Sequence, residues 1–164
     1  MKKEIEEQFA ALFSAHANKV EQRREAKAAT ETKEQEFVRT FREHCARSLK
    51  PALEQIAQHL GTKGMKTRID EAYEQVGMHG GQSERTGLTI HLLMGEEGRH
   101  YASHEQPHLS LHPDKHRQLV TLIQSTIRPG AGGTSGSIGE FNLAQLTGEF
   151  LQQKVYELVA EVLK

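Results

Sequence analysis

The chain has 164 residues, enough for one ordinary domain and too few for two large ones. Its 21 Lys and Arg residues nearly balance its 22 Asp and Glu residues, leaving a formal net charge of −1. A chain without an excess of basic residues is not expected to bind a nucleic-acid backbone strongly.

The N-terminus does not resemble an export signal, because Glu4, Glu6 and Glu7 interrupt any apolar core there. The longest uninterrupted apolar stretch, residues 9–13, is far shorter than the roughly 18 residues that cross a bilayer. The single cysteine, Cys45, has no partner for an intramolecular disulfide. We therefore expect a soluble cytoplasmic protein that does not interact with a membrane.

The first 60 residues are predicted to be helical, because all 14 glycines lie at or after Gly61 and good helix formers dominate. Apolar residues at three- and four-residue steps form two separate stripes. The first contains Ile5, Phe9, Leu12, Phe13 and Val20, and the second contains Phe37, Val38, Phe41, Cys45, Leu49, Leu53, Ile56 and Leu60. Between them, residues 21–36 hold no apolar side chain larger than alanine.

A straight helix of this length would measure about 90 Å, whereas a compact chain of this size has a radius of gyration of about 15 Å. Residues 1–36 are therefore an arm that meets another subunit, one half of a helical hairpin, or partly disordered. Thr32 and Gln35 form a capping-box pattern that permits a break near residues 30–32. Pro51 is expected to kink the helix or to start a new turn. We divide the chain into a helical region, residues 1–60, and a head domain, residues 61–164.

The head domain is predicted to contain an antiparallel meander. Residues 65–76 fit either a strand or a helix, and a strand is preferred; a loop follows at 77–87. Alternation of apolar and polar residues, together with the turn sequence GEEG, predicts strands at residues 88–94, 99–104 and 107–112. An apolar run rich in Val, Ile and Thr predicts a more buried strand at residues 119–127. The glycine-rich sequence at 129–137 is predicted to be a flexible connector, and residues 138–146 to return to packed structure.

A C-terminal helix is predicted to begin at the capping residue Thr147 and to cover one face of the sheet. Its apolar face consists of Phe150, Leu151, Val155, Leu158, Val159, Val162 and Leu163. The predicted fold class is α+β, with a long N-terminal helical segment, a four- to five-stranded antiparallel meander and a C-terminal helix packed on the sheet.

Five histidines are candidate metal ligands: His91, His100, His104, His108 and His112. If the GEEG turn pairs Met94 with Arg99, His91 faces Ala102, and the other four histidines share the same outer sheet face. Three neighbouring imidazoles could bind a divalent transition metal such as zinc or nickel. The alternatives are a solvated polar face and an interface that responds to histidine protonation.

No residue pattern indicates a catalytic site, and Cys45 is predicted to be a buried, unreactive thiol on the second stripe. The leading hypothesis is a non-enzymatic assembly protein that forms a homo-oligomer, most simply a dimer. The expected interface residues are Phe9, Leu12, Phe13, Val20, Phe37, Phe41 and Leu49. The alternative is a metal- or small-ligand-binding domain, or a hydrolase, that uses the histidines. A different protein as partner also remains open.

Overall fold

The computed structural model describes residues 3–72 and 87–164. It contains a long N-terminal helical region, a five-stranded antiparallel sheet and a C-terminal helix, which confirms the predicted α+β class. The chain divides into two compact units, Met1–Phe37 and Val38–Lys164. Helical residues after Phe37 belong with the sheet because their apolar side chains, such as the fully buried Phe41, form part of its core.

Helix α1 covers Lys3–His44 without a break at the two threonines that suggested a hairpin. The hydroxyl of Thr30 donates to the carbonyl oxygen of Ala26 at 2.9 Å. The hydroxyl of Thr32 likewise donates to the carbonyl oxygen four residues earlier, also at 2.9 Å. Because both hydroxyls bond within the continuing helix, Thr32 does not cap a new one, and the chain does not adopt the hairpin alternative.

A π-helical turn, Cys45–Leu49, separates α1 from helix α2, Lys50–Thr62. The backbone N–H of Lys50 donates to the carbonyl oxygen of Cys45, five residues earlier. Pro51 has no N–H to donate, so the regular pattern of α-helical bonds cannot pass through it. Pro51 lies in the first turn of α2, and a kink of the helix axis there stays a prediction.

The side chain of Cys45 is buried, with an exposed fraction of 1%. Burial raises the pKa of its thiol to about 12, and the nearby charge of Glu71 acts in the same direction. The thiol is therefore protonated at neutral pH. The predicted burial of Cys45 is confirmed, and its low reactivity stays a prediction that the raised pKa supports.

The five strands follow one another in space in the order of the sequence, and each pairs antiparallel with the next. The strand interpretation of residues 65–76 is correct as far as the structure describes them, and residues 73–76 and the predicted loop up to residue 86 lie outside the described residues. The strands are β1 (Lys66–Ala72), β2 (Gly87–Leu93), β3 (His108–Asp114), β4 (Leu119–Ser125) and β5 (Ser135–Phe141).

The predicted strand at residues 99–104 is wrong, because β2 pairs directly with β3. The long connection between these two strands includes only a short 3₁₀ turn, Ser103–Glu105. Within it, the side-chain amide of Gln106 accepts a hydrogen bond from the N–H of Met94 at 2.8 Å and donates one to the carbonyl oxygen of Met94 at 3.0 Å. The side chain of Gln106 thus bonds both the N–H and the C=O of Met94, the backbone groups that a neighbouring strand would otherwise pair with.

The glycine-rich connector is shorter than predicted, because β5 already begins at Ser135. The backbone N–H of Arg128 donates to the carbonyl oxygen of Gly132 at 2.9 Å and closes a turn. Gly130 and Gly132 have φ values of 74° and 71°, in the left-handed region that glycine adopts without a steric penalty. These glycines therefore form a hydrogen-bonded turn between β4 and β5.

The core lies between the inner face of the sheet and the helices. Helix α3, Gly148–Val162, contacts β3 and α2, and α2 contacts β1. Imidazole Nε2 of His44 donates to the carbonyl oxygen of Leu146 at 2.6 Å and ties the end of α1 to the segment before α3. The fully buried side chains include Phe41, Leu49, Leu53, Leu88, Ile90, Leu92, Leu109, Leu111, Val120, Leu122, Leu151, Val155 and Leu158.

The predicted cap of α3 is confirmed and supports a first testable prediction. The hydroxyl of Thr147 accepts a hydrogen bond from the backbone N–H of Phe150 at 3.1 Å. Thr147→Ala removes this acceptor and is expected to lower the free energy of unfolding by about 1 kcal/mol. Thr147→Ser keeps the hydroxyl and serves as the control. Equal stability of the two variants in urea denaturation would contradict the capping role.

Candidate functional site

The first candidate surface is an apolar face of α1, called here the α1 stripe. Every residue from 3 to 33 is exposed, including the large apolar side chains that are spaced for one helix face. The rings of Phe9 and Phe13 stack within this face, with 6.5 Å between their centroids. The α1 stripe consists of Ile5, Phe9, Leu12, Phe13 and Val20, with exposed fractions of 40%, 50%, 64%, 68% and 36%.

The remaining residues of the expected interface lie inside the protein. Phe37 is 8% exposed, and Phe41 and Leu49 are 0% exposed. Buried side chains are not available to a second copy while the fold is intact. Of the expected interface residues, only Phe9, Leu12, Phe13 and Val20, which belong to the α1 stripe, are exposed.

The second candidate surface is the outer face of the sheet, where the strand register brings two of the five histidines together. Arg68, His91, His108 and Ser125 form one row across β1 to β4. The ring centroids of His91 and His108 are 5.3 Å apart. His112 shares this face but lies four residues further along β3, roughly 13 Å from His108 at the usual rise per residue.

His100 and His104 do not join this row. Both are exposed in the connection between β2 and β3. The prediction that they lie diagonally opposite His91 is wrong, because it depended on a strand at residues 99–104. Although His100 and His104 are four residues apart in the sequence, they lie outside the strands, so this spacing does not place them on the sheet face.

His91 belongs to a polar network that the sequence did not reveal. Its Nε2 lies 3.1 Å from carboxylate oxygen Oδ2 of Asp70. Arg68 donates to both oxygens of Asp70 at 3.0 and 3.1 Å, and also to the hydroxyl of Ser103 at 2.8 Å. The network joins β1, β2 and the connection that follows β2. In the sequence, only the position of Asp70 in the predicted first strand pointed to a place on the sheet. The sequence did not determine which strand β1 pairs with, so the contact between Asp70 and His91 could not be predicted.

The imidazole of His91 is buried, with an exposed fraction of 6%. Burial lowers its pKa to about 4, and the charge of Arg68 lowers the pKa further. Asp70 acts in the opposite direction and raises the pKa, and His108 lowers it by a smaller amount. His91 is therefore neutral at pH 7, and its Nε2–H donates to Asp70. Its Nδ1 is also buried and has no hydrogen-bond partner in the described part of the chain. A substrate outside the protein cannot reach this nitrogen, so His91 is not positioned as a general base.

Within residues 3–72 and 87–164, no three His, Cys, Asp or Glu side chains converge where they could hold a metal ion. Of the five candidate histidines, His91 and His108 have rings in contact. A zinc site in a protein takes three or four protein ligands. The described geometry provides a pair of histidines, with Nε2 of His91 already bonded to Asp70.

Comparison with models of known protein families, with curated proteins and with solved structures finds no match. Among the helices of the described residues, none combines the length and apolar character needed to cross a membrane.

Proposed function

We propose that the protein is a non-enzymatic assembly protein, and that two copies associate as a homodimer through the α1 stripe. The observation that carries the proposal is the exposure of large apolar side chains along one face of an otherwise polar helix. Contiguous apolar surface on a soluble protein is typical of an interaction site. The proposed dimer contact is a short coiled coil, and the buried thiol Cys45 is compatible with the reducing cytoplasm as its location.

Association would give this part of α1 the packing that it lacks in a single copy. Most helices in proteins are stabilised by burial of an apolar face and only weakly by their intrinsic propensity. Burying one Phe or Leu side chain contributes about 1.5–3 kcal/mol. The stripe side chains keep 36–68% of their surface exposed in one copy, so burying that surface on both copies contributes a free energy of the same order as an association cost of about 4–15 kcal/mol.

The second testable prediction concerns the oligomeric state. Sedimentation equilibrium of the full chain is expected to show a concentration-dependent dimer. The double substitution Leu12→Glu and Phe13→Glu places charges in the stripe, where dimerisation would remove them from water. We expect it to raise the dissociation constant of the dimer by at least about 100-fold, because each tenfold change corresponds to about 1.4 kcal/mol.

A matched control adds the same two charges on the opposite face of the same turn. Positions 11 and 14 lie about 150° around the helix from the centre of the stripe, and both side chains are exposed. The double substitution Ala11→Glu and Ser14→Glu is expected to leave the dimer essentially intact. A wild-type chain that remains monomeric at all accessible concentrations would contradict the proposal. Equal weakening by the two double substitutions would contradict the assignment of the interface.

A further inference from the structure

We propose that the homodimer dissociates when the pH falls below that of neutral water, and that His16 is the residue that takes up the proton. This inference rests on the proposed homodimer and adds a pH-dependent control of the same contact. His16 is exposed in a single copy, as is every residue from 3 to 33. Its place on α1 determines whether it stays exposed when a second copy binds.

His16 lies at the centre of the α1 stripe. At 3.6 residues per turn, its direction around the helix differs by only about 12° from the mean direction of the five stripe residues. Leu12 and Phe13 precede it by four and three residues, and Val20 follows it by four, so all three are its neighbours on the helix surface. Two helices that pack through this face therefore bury the imidazole of His16 between them.

The charged residues around His16 do not favour a further positive charge. Lys19 and Arg23 follow it by three and seven residues on the same side of the helix. Glu6 lies at the edge of the stripe, ten residues earlier, and Glu21 lies about 140° away around the helix. A second copy of α1 presents the same set of groups. A protonated His16 in the contact is thus surrounded by more cations than carboxylates.

The neutral and the charged imidazole differ in the cost of leaving water. A histidine side chain in water gains its proton near pH 6.5. Removing the charged ring from water costs far more than removing the neutral ring. Separate copies bind the proton freely, whereas the dimer binds it only at this cost. Because a fall in pH favours the state that binds more protons, acid favours the separate copies.

The expected size of the effect follows from the fraction of neutral histidine. For titration near pH 6.5, this fraction falls about tenfold between pH 7.5 and pH 5.5. A dimer contains two copies of His16, so its dissociation constant is expected to rise by up to about 100-fold over this range. His16 is the only histidine in the sequence of the unit Met1–Phe37, so no second imidazole of that unit contributes.

Sedimentation equilibrium of the full chain at pH 7.5 and pH 5.5, at one NaCl concentration, measures the effect. The wild-type dissociation constant is expected to rise by about 10- to 100-fold. His16→Gln keeps a polar side chain that does not titrate, and its dimer is expected to respond much less. His16→Leu continues the apolar stripe and is expected to tighten the dimer at both pH values. His100→Gln, at an exposed position outside α1, is expected to respond like the wild type.

The outcomes separate the role of His16 from the homodimer itself. A wild-type chain that dimerises at pH 7.5, with a rise in dissociation constant equal to that of His16→Gln, would overturn the role of His16 and leave the homodimer standing. A wild-type chain that is monomeric at pH 7.5 would overturn the homodimer. The two proteins share every other titrating group, so effects of acid elsewhere in the chain largely cancel in the comparison.

Discussion

Replacing Phe41 by alanine is expected to lower the free energy of unfolding of the sheet-containing unit by about 3–5 kcal/mol. The ring of Phe41 is 0% exposed, so the substitution removes buried apolar surface and leaves a cavity in the core. Urea denaturation followed by circular dichroism measures the effect. A loss of this size is a large fraction of the stability of an ordinary domain.

Phe13→Ala is the matched control, because the same side chain is removed from the same helix at a position that is 68% exposed. Measured at a concentration where the protein is monomeric, this substitution is expected to change the free energy of unfolding of the sheet-containing unit by less than about 0.5 kcal/mol. Equal losses in the two variants would show that the two phenylalanines do not differ in burial, and would remove the basis of the α1 stripe.

Local patterns in the sequence predicted the elements that local interactions determine. Alternation of apolar and polar residues identified β2 and β3, and an apolar run rich in Val, Ile and Thr identified β4, because each strand buries side chains in the core. Thr147 identified the start of α3 because its hydroxyl bonds within the first turn of that helix. In both cases the residues that carry the pattern are also those that make the contacts.

The two apolar stripes of the first 60 residues show where local patterns fail. Both have helical spacing, but Phe41 and Leu49 pack in the core, whereas Phe9 and Phe13 remain exposed. Spacing specifies which side chains share a helix face and contains no information about what covers that face. The expected interface therefore combined residues from the two stripes.

The histidine site failed for a related reason. The predicted GEEG hairpin fixed the neighbours of His91 from the turn alone. In the structure, β2 pairs directly with β3, and the side chain of Gln106 bonds to the backbone of Met94 within the connection. Which segment pairs with β2 depends on residues distant in the sequence, so a local turn pattern does not determine it. Asp70 could be placed beside His91 only once the β1–β2 register was known.

Acidification is expected to destabilise the native state through His91. The pKa of its imidazole is about 4 in the folded protein, compared with 6.5 for an unperturbed histidine. Between these two values the unfolded chain binds a proton that the folded chain does not, so stability falls as the pH falls from about 6.5 to 4. The shift corresponds to a loss on the order of 3 kcal/mol between pH 7 and pH 4.

The variant His91→Gln isolates this contribution, because glutamine does not titrate and its amide can still donate to Asp70. Between pH 7 and pH 4, urea denaturation is expected to show a loss of stability in the wild type that exceeds the loss in the variant by on the order of 3 kcal/mol. Carboxylates that titrate in the same range affect both proteins and largely cancel in the difference. His100→Gln, at an exposed position in the β2–β3 connection, is expected to follow the wild-type profile. Parallel profiles for wild type and His91→Gln would show that folding does not lower the pKa of His91 and would contradict this prediction.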